Sequence, residues 1–491
     1  MNDLFSDHFN NPRNVGMITD AHGAGQAGDP GCGVVIEFFL RFDHNRVDAA
    51  SYKATGSSAA IACGSLLTEL AAGENWRQVA SISEKKLTLL LETGEEPKPA
   101  LNIAAGFAIE ALHSALEDSI RRKTFPVTDQ HAESVLVAMS GGVDSSVASL
   151  LVRDSGRETM GVTMRLWSDP ECAETGAPTC CSPQAIRDAR AVCHALGLPH
   201  LTVDYTEDFA RTVVDPFVDG YLDGFTPNPC TQCNGSFRFP ALVGLADYLG
   251  ASKVATGHYA LLVTVDEQLH IARAADGTKD QSYMLWGIDP GLLARLEFPL
   301  GDIRKDETRR IAREAGMTVH DRAESQEVCF IPDDDYRRFI RSRAAVTGKG
   351  SLLPGEGEIV DADGARIGLH HGFIDFTVGQ RHGLGVSAPE PLYVLKTDPE
   401  TNQVVAGGRK KLAVRYLTVS GINPGHPHAG NNLVVQVRYN SSPAAVKALE
   451  AAGEGWRIEL EEPVSGVAPG QSAVLYEDGV ILAGGVIQTT G

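Results

Sequence analysis

No stretch of the 491-residue sequence stays apolar over the roughly 18 to 20 residues that a helix needs to cross a membrane. The start, MNDLFSDHFNNPRN, lacks a basic segment followed by an apolar one, so we expect no secretory signal peptide. Basic residues are scarce as well, because 43 Lys and Arg stand against 63 Asp and Glu, for a formal net charge of −20. That charge opposes non-specific binding to nucleic acid, so an RNA partner would have to be held by a local basic surface. These absences predict a globular protein of the cytoplasm.

Cysteines are few and odd in number, which argues against the disulfide framework of small secreted proteins. They are Cys32, Cys63, Cys172, Cys180, Cys181, Cys193, Cys230, Cys233 and Cys329. In a reducing compartment such thiols serve as core residues, metal ligands or redox catalysts. Cys193 lies in an apolar helical pattern and is predicted to be an inert core residue.

The chain is long enough for about three domains, and its sequence patterns change along its length. Residues 1–122 are predicted to form a small α+β unit, and the polar segment 123–134 a linker. Strands and helices alternate over residues 135–345, which is typical of a doubly wound parallel sheet with its ligand site at the carboxyl ends of the strands. Short alternating runs rich in Gly and Pro then predict a central β domain over 346–410 and a β-barrel over 411–491.

A glycine-rich string, SGGVDSS, lies at Ser140–Ser146 between a predicted strand and a predicted helix. Glycines let the backbone approach phosphate oxygens, and the helix that follows presents unpaired N–H groups to an anion. Serine hydroxyls add donors, and Asp144 can hold Mg²⁺ against the phosphates. No Gly-Lys-Ser/Thr follows, so the string is not a Walker A loop. A bare Gly-Gly turn is usually structural, but the whole string in this context favours phosphate binding.

The string SGGVDSS resembles the loop of the N-type ATP pyrophosphatases, which split ATP into AMP and pyrophosphate while adenylating a carbonyl oxygen. Two further strings, TPNPCTQCNGSFRF at Thr226–Phe239 and ESQEVCFIP at Glu324–Pro332, resemble those of the tRNA-specific 2-thiouridylases. Shorter matches to that family are MRLW from Met164, TGHYA from Thr256, KDQSY from Lys279 and FTVGQRHGLG from Phe376. The resemblance runs from about Val135 to the C-terminus.

This resemblance implies a doubly wound α/β domain of the adenine nucleotide alpha hydrolase type with a helical tRNA-binding insert, followed by C-terminal β-barrel domains. It implies an ATP-dependent tRNA uridine 2-sulfurtransferase, which adenylates the carbon-2 oxygen of the wobble uridine and replaces that oxygen with sulfur. The positions that match the ATP pocket are Ala138, Met139, Ser140, Gly141, Gly142, Val143, Asp144, Ser145, Met164 and Gly257.

The resemblance also implies a tRNA surface. Chemistry on a base requires its extrusion from the stack, and the segment from Asn228 to Cys230 matches the lining of the flipped base. The positions that match tRNA contacts are Asn228, Pro229, Cys230, His258, Lys279, Asp280, Gln281, Arg438, Tyr439 and Gln471.

Replacing oxygen by sulfur requires a soft sulfur nucleophile and a second thiol that releases the sulfur from its carrier. By the resemblance, Cys329 carries a persulfide and Cys233 closes a transient disulfide with it, with a cysteine desulfurase or another persulfide donor upstream. Cys230 and Cys233 also match half of a zinc site, although a second pair is missing. Cys230, Cys233 and Cys329 together could hold three irons of a [4Fe–4S] cluster, and many family members have Asp in place of Cys230. The sequence leaves the persulfide and the cluster open.

Residues 3–72 resemble the iron–sulfur scaffold proteins of the NifU/IscU type. The matching strings are HFNNPRNVG from His8, Gly31-Cys32-Gly33 and YKATGSSAAIACGSL from Tyr52. The resemblance implies that family's α+β fold, with iron binding and cluster assembly as its chemistry.

The chain departs from the scaffold family at the ligand positions. Val34 stands where the family has aspartate, Ser57 where it has its second cysteine, and the third cysteine aligns near Leu101. Cys63 is a possible second ligand, although it lies away from the family's position. We therefore expect a scaffold fold without assembly function, which either docks a cysteine desulfurase or only stabilises the chain.

Two other functions fit parts of the sequence. A small-molecule amidating synthetase of the ATP pyrophosphatase type would need neither Cys233 nor Cys329, and would turn over ATP without RNA. An iron–sulfur scaffold or carrier would transfer clusters and be indifferent to Asp144→Ala. Neither assigns a role to the β domains or to Arg438 and Tyr439.

Overall fold

The computed structural model describes the chain apart from residues 1–3, 30, 32, 93–98, 126–130, 170, 172–181, 318–327, 424–431 and 454. Cys32 and the group Cys172, Cys180 and Cys181 therefore lie outside the described residues. Within the described part of the chain, no helix is both long and apolar enough to cross a bilayer. The described strands form four sheets.

The N-terminal unit is a small α+β fold. Its elements are α1 (Leu4–Asn10), β1 (Gly23–Asp29), β2 (Val34–Asp43), β3 (Arg46–Thr55), α2 (Ser58–Ala71), α3 (Trp76–Ala80), α4 (Glu84–Leu91) and α5 (Pro99–Arg121). The strands pair antiparallel in the order β1-β2-β3. Ile36, Phe38 and Leu40 alternate along β2 and are fully buried, because that face of the sheet meets α2 and α5. The predicted α+β unit is thus present, with β1, β2 and β3 as its strands.

The central sheet begins after this unit and is entirely parallel. Its first elements are β4 (His131–Ala138), α6 (Val143–Asp154), β5 (Thr159–Arg165), α7 (Pro183–Ala195) and β6 (His200–Asp204).

A helical insert follows β6 and contains two π-helical turns. It comprises α8 (Thr206–Phe209), a π-helical turn (Ala210–Val214), α9 (Asp215–Leu222), α10 (Pro229–Gln232), a second π-helical turn (Cys233–Arg238) and α11 (Phe239–Leu249). Turns of this kind are rare and occur frequently at functional sites. The second one starts at a predicted catalytic cysteine.

The chain then completes the sheet and adds a hairpin and three helices. These elements are β7 (Ala251–Ala255), β8 (Leu261–Val265), β9 (Gln268–Ala272), α12 (Pro290–Leu293), β10 (Leu296–Glu297), α13 (Lys305–Glu314) and α14 (Tyr336–Val346). The sheet order is β10-β7-β4-β5-β6. Val135 and Val137 of β4 pack with α6 and α7, whereas Leu136 packs with α11, so both faces are covered by helices. The predicted doubly wound fold is confirmed, and its switch point lies between β4 and β7.

The C-terminal part is all β, as predicted. Its strands are β11 (Gly357–Asp361), β12 (Arg366–His370), β13 (Leu392–Asp398), β14 (Gln403–Gly408), β15 (Ala413–Asn423), β16 (Leu433–Gln436), β17 (Ala444–Ala452), β18 (Gly455–Ser465), β19 (Ser472–Glu477) and β20 (Val480–Thr490). The smaller sheet has the order β12-β11-β14-β13. The larger one runs β15-β18-β17-β16-β19-β20-β9-β8, and β15 also pairs with β20, which closes a barrel. The hairpin β8–β9 therefore joins the C-terminal sheet, with Ala272 opposite Val480, although about 140 residues separate β9 from β15 in the sequence.

The N-terminal unit packs directly against the central sheet. α5 lies on β6, the strand at one edge of that sheet. Phe125, in the segment predicted as a linker, is buried against the rings of Trp76 and Tyr248. β4 begins at His131, so the end of the predicted linker 123–134 is strand. The two units thus share a packed interface.

Three histidines meet at this interface. The ring of His113 lies 5.5 Å from that of His194 and 6.3 Å from that of His200, measured between centroids. Burial and, to a smaller extent, the cation of Arg190 lower the pKa of His194 to about 4. Burial and Arg190 also hold the pKa values of His113 and His200 well below their usual range. All three are therefore neutral in the folded chain at pH 7.

We expect acid to loosen this interface. A histidine with a depressed folded pKa contributes its full stability above the unfolded pKa of about 6.5, and loses it as pH falls toward the folded value, because protonation favours the unfolded state. For His194 alone the loss is about 2 kcal/mol at pH 5. Urea titrations at pH 7.5 and 5.0 measure the free energy of unfolding at each pH. His194→Gln should make the difference between these two free energies smaller, whereas the substitution His44→Gln at an exposed position should leave it unchanged. Equal pH dependence in all three proteins would contradict this assignment.

Candidate active site

The glycine-rich loop lies at the carboxyl end of β4, at the switch point of the sheet. Gly141 is left-handed, with φ of 72°, and a Cβ there would lie 2.4 Å from the carbonyl oxygen of Ala185, so glycine is required. Ser145 and Ser146 donate to the carbonyl of Gly142 at 3.1 and 2.9 Å. α6 starts after Gly142 without a side-chain cap, so its first N–H groups face the loop and suit an anion.

The positions predicted for the ATP pocket gather at this edge of the sheet. Ala138 ends β4, Met164 lies next to the end of β5, and Gly257 follows β7. A Cβ on Gly257 would lie 2.7 Å from the amide nitrogen of Ser145, so the two loops touch through their backbones. The remaining positions form the loop and the first turn of α6: Met139, Ser140, Gly141, Gly142, Val143, Asp144 and Ser145. The structure thus brings together every residue of the predicted pocket.

A lysine that the sequence reasoning did not single out pairs with Asp144. The Lys305 ammonium lies 2.7 Å from each carboxylate oxygen of Asp144. Its side chain is only 11% exposed, and its backbone N–H donates to Asp276 at 3.0 Å, which anchors the start of α13. The Tyr259 hydroxyl donates to Asp144 at 2.9 Å, and it also lies 2.9 Å from the hydroxyl of Thr308. A positive charge is therefore held at the mouth of the phosphate loop.

A histidine connects the loop with the helical insert. His258 follows Gly257, and its Nδ1 lies 2.8 Å from the hydroxyl of Thr256. Its ring packs 5.8 Å from that of Phe239. Burial and, to a smaller extent, the nearby Arg238 guanidinium lower the pKa of His258 to about 3, so the imidazole is neutral. His258, predicted as a tRNA contact, is placed between the phosphate loop and the cysteine segment.

The cysteine segment is shaped by Asn228. The Asn228 side chain caps α10, accepting from the N–H groups of Cys230 at 3.1 Å and Thr231 at 3.4 Å. Pro229 occupies the first helical position, where its missing N–H costs nothing. Cys233 is buried at the start of the π-helical turn, and Cys230 keeps partial contact with solvent.

The structure brings Cys329 to this pair, as predicted. Phe330 packs its ring against Phe209 at 5.8 Å and Phe217 at 5.4 Å, which fixes the turn that carries Cys329 against the helical insert. Burial and, to a smaller extent, the neighbouring Cys329 and Cys233 raise the pKa of the Cys230 thiol to about 12. The three thiols are therefore close enough to influence one another, and Cys230 is a protonated thiol at neutral pH.

Among the described residues, no group of three or more His, Cys, Asp or Glu side chains is disposed to hold a metal ion. The described cysteines therefore form no preformed ligand set for a [4Fe–4S] cluster or a zinc ion. Asp144 differs, because one carboxylate beside a phosphate loop fits Mg²⁺ that arrives with its nucleotide.

The stretch Lys279–Gln281, predicted to contact tRNA, is largely committed to internal bonds. The Asp280 carboxylate accepts from the guanidinium of Arg273 at 3.0 Å and from the hydroxyl of Ser282 at 2.9 Å. The Gln281 side chain accepts from the backbone of Tyr259 at 3.0 Å. These two side chains organise the approach to the barrel, and their contact with tRNA stays a prediction.

The other three predicted tRNA positions lie on or beside the C-terminal barrel. Arg438 is exposed, and the Tyr439 ring lies 6.4 Å from that of Tyr283. The Gln471 amide donates to the carbonyl of Thr226 at 2.7 Å, next to the cysteine segment. The barrel is thus docked on the segment that carries the cysteines.

A cavity of about 240 Å³ opens between α9 and the barrel. Asn228 and Pro229, two of the three positions predicted to line a flipped base, form part of its wall. Its other lining residues include Phe217, Phe225 and Gly470. An apolar cavity with a few polar groups is the usual form of a small-ligand site.

The N-terminal cysteine positions contain no ligand set among the described residues. Ser57 is used as the N-cap of α2, where its side chain accepts from the N–H of Ala60. Cys63 is fully buried in the core, and burial raises its pKa to about 12, so the suggestion that it acts as a second ligand is not supported. Cys193 is likewise fully buried, in accord with an inert core role.

Lys305, Tyr259 and Arg238 are the residues near the site that sequence reasoning missed. Tyr259 lies inside the quoted TGHYA string and Arg238 inside TPNPCTQCNGSFRF, but neither was given a role. The sequence around Lys305 indicates only the start of an amphipathic helix. Its pairing with Asp144 could not be predicted, because the two residues are 161 positions apart.

Four families match successive parts of the chain. Residues 2–124 match "NifU-like N terminal domain" and residues 133–333 match "tRNA methyl transferase HUP domain". Residues 349–408 match "tRNA methyl transferase PRC-barrel domain" and residues 411–487 match "Aminomethyltransferase beta-barrel domain".

Curated relatives match the same parts of the chain. The bifunctional protein NifU/MnmA of Rubrobacter xylanophilus is 44% identical, over 98% of this chain and 97% of the relative. The tRNA-specific 2-thiouridylase MnmA of Acidithiobacillus ferrooxidans is 42% identical over 73% of this chain and 99% of its own length. The MnmA of Methylorubrum extorquens is 44% identical over 74% of this chain and 95% of its own length. This chain therefore belongs to the family of bifunctional NifU/MnmA proteins, an MnmA-type enzyme preceded by a NifU-like domain.

Proposed function

We propose that the chain is an ATP-dependent tRNA uridine 2-sulfurtransferase of the cytoplasm. It would adenylate the carbon-2 oxygen of the wobble uridine and replace that oxygen with sulfur, giving 2-thiouridine, AMP and pyrophosphate. The observation that carries the proposal is that the phosphate loop and the cysteine segment lie next to each other. Gly257 touches the phosphate loop, His258 follows it, and Arg238 lies near both His258 and Cys230. An adenylation site and a group of thiols thus share one surface.

In the first half-reaction the phosphate loop binds the triphosphate through the N–H groups at the start of α6 and the serine hydroxyls. Mg²⁺ bound with the nucleotide would be held by Asp144 and would neutralise phosphate charge. The uridine oxygen attacks the α-phosphorus, the bond to the β-phosphate oxygen breaks, and pyrophosphate leaves. Lys305 stands where it can neutralise the charge of the leaving pyrophosphate.

In the second half-reaction the sulfur comes from a persulfide on Cys329. Its terminal sulfur attacks carbon 2 of the adenylated base, and AMP leaves with the former carbonyl oxygen. The thiolate of Cys233 then attacks the Cys329 sulfur, so that the bond between Cys329 and the transferred sulfur breaks and 2-thiouridine is released. The resulting Cys233–Cys329 disulfide needs two electrons from an external dithiol before the next turnover. Cys230 remains a protonated neighbour in this scheme.

The cavity beside Asn228 and Pro229 is the proposed place of the flipped base. Pro229 and Thr231, the two neighbours of Cys230 in sequence, line it together with the barrel residues Gly470 and Gln488. The proposed tRNA contacts at Arg438, Tyr439 and Gln471 surround the same region from the barrel side.

The persulfide donor is proposed to be a cysteine desulfurase that docks on the N-terminal unit. Val15 and Met17 of this unit lie two residues apart and are 60% and 57% exposed, so they offer apolar surface to a partner. We expect Val15→Asp with Met17→Asp to weaken desulfurase binding at least about tenfold and to slow sulfur transfer from it, whereas thiolation with added inorganic sulfide stays unchanged. The control is Leu352→Asp, which alters another exposed apolar residue, one outside this unit.

Removal of the whole N-terminal unit would be a poor test, because its interface with β6 is packed. Equal desulfurase binding by the double variant and by the control would leave only the alternative, a unit that stabilises the chain.

The decisive experiment is nucleoside mass spectrometry of unmodified tRNA after incubation with the chain, Mg-ATP, a cysteine desulfurase and cysteine. We expect 2-thiouridine at the wobble position and AMP formed only when tRNA is present. Absence of 2-thiouridine with rapid ATP turnover in the absence of RNA would favour the amidating synthetase instead.

A further inference from the structure

We infer that the tRNA backbone lies on a basic seam between the central β domain and the C-terminal barrel, formed by Arg381, Arg409, Lys410, Lys411 and Arg438. This inference rests on the proposed function and identifies the surface that a chain of net charge −20 would use for RNA.

The seam is defined by three segments that meet at Gly466. The N–H of Gly466 donates to the carbonyl of Leu412, the last residue of the short helical turn Arg409–Leu412. A Cβ on Gly466 would lie 3.5 Å from the guanidinium of Arg438. A Cβ on Gly379 would lie 3.5 Å from the Cα of Gly466, which brings in the loop that continues to Arg381. Three segments that are distant in sequence, and that carry or adjoin these cations, therefore meet at one point.

These cations are exposed and free of carboxylates. Arg381, Arg409, Lys410, Lys411 and Arg438 are all exposed. Within the described part of the chain, no salt bridge joins any of the five to an acidic side chain, whereas exposed arginines such as Arg211 and Arg310 are paired with acidic neighbours. Cations left without internal partners are available to phosphates, and each one that pairs with a phosphate releases bound counterions.

A second basic segment, the helix α14, carries four arginines in the string YRRFIRSR. Its Arg338 is bound to Asp169 and Asp333, Arg341 to Asp375 and Arg343 to Asp215. The charges of these three arginines are already paired and fasten α14 to its neighbours, whereas the described residues provide no such partners for the seam cations.

The seam leads toward the proposed base pocket. Arg438 is followed by Tyr439, whose ring lies beside that of Tyr283. The Asn228 side chain, which lines the cavity, lies near the Tyr283 hydroxyl. A strand held at the seam would thus be continuous with a nucleotide extruded into that cavity. The folded tRNA, with closely spaced phosphates, is the partner that this geometry fits.

The test compares two pairs of lysines with the same change of charge. Lys410→Ala with Lys411→Ala removes two seam cations, whereas Lys85→Ala with Lys86→Ala removes two exposed cations of the N-terminal unit. Binding of unmodified tRNA to the full chain is measured by fluorescence anisotropy between 50 and 300 mM KCl. We expect the seam variant to bind at least about tenfold more weakly and its slope of log K against log salt to fall by about 2. The control should match the wild type.

A third variant, Arg381→Ala with Arg409→Ala, should behave like the seam variant, while ATP binding stays unchanged in all of them. Identical tRNA affinity and salt slope in the seam and control variants would overturn the inference and leave the proposed function intact. A wild-type chain that binds no tRNA under any of these salt conditions would overturn both.

Discussion

Cys329→Ser should abolish 2-thiouridine formation, with a loss on the order of 1,000-fold or more, because it removes the proposed persulfide carrier. Adenylation does not use this thiol, so tRNA-dependent exchange of labelled pyrophosphate into ATP should continue at close to the wild-type rate. Single-turnover assays with nucleoside mass spectrometry measure the first quantity, and the exchange assay measures the second. Cys193→Ala, which alters a fully buried thiol in the sheet core, is the control and should keep both activities.

The other two thiols separate the persulfide from a cluster. If Cys233 only resolves the persulfide, Cys233→Ser should still transfer sulfur slowly when a thiol reductant is added, because an external thiol can release the sulfur. Cys230→Ser should keep activity in air, since Cys230 is a protonated thiol with no step assigned to it. Activity found only without oxygen, and lost with Cys230→Ser, would mean that a cluster forms on ligands that rearrange from the observed geometry. Activity in Cys329→Ser equal to that of the wild type would contradict the persulfide scheme altogether.

Lys305→Met should lower the rate of adenylation by about 100- to 1,000-fold, which is typical for removal of one group that stabilises transition-state charge. The ammonium of Lys305 lies 2.7 Å from both oxygens of Asp144, and it is held there by α13 and by the ring of Tyr259 at 5.6 Å. Charge on the leaving pyrophosphate develops as the phosphorus–oxygen bond breaks. We therefore expect the loss mainly in kcat, with a smaller change in the KM for ATP.

The measurement is tRNA-dependent pyrophosphate exchange over a range of ATP concentrations. Arg304→Met is the matched control, because Arg304 is the preceding residue and its side chain is 70% exposed. Lys305→Arg keeps the charge and should recover part of the rate. A kcat of Lys305→Met within about threefold of the wild type would show that the ion pair with Asp144 is structural only.

Much of the architecture could be predicted from local sequence patterns. Two strands, β2 with its alternating apolar residues and the apolar strand before SGGVDSS, are specified by patterns that span only a few residues. Such local patterns can be recognised directly in the sequence. The hairpin β8–β9 was missed as part of the barrel because its pairing partner β20 lies far along the chain, and no local pattern records such a register. The packed state of Phe125 was missed for the same reason, since its neighbours Trp76 and Tyr248 are not adjacent to it in sequence.

The sequence by itself determined the functional motifs and the domains. These are a phosphate loop, three cysteines at recognisable positions, a scaffold-like unit with its ligand positions replaced, and the barrels that follow. Each of these features depends only on the residue types in a short segment, and those do not change with the tertiary structure. Only the tertiary structure decided which charges are free and which groups meet. It paired Lys305 with Asp144, neutralised the arginines of α14, and left those of the seam exposed. The physical reason is that Coulomb and hydrogen-bond energies depend on distances in space, and folding sets those distances between residues that the sequence places far apart.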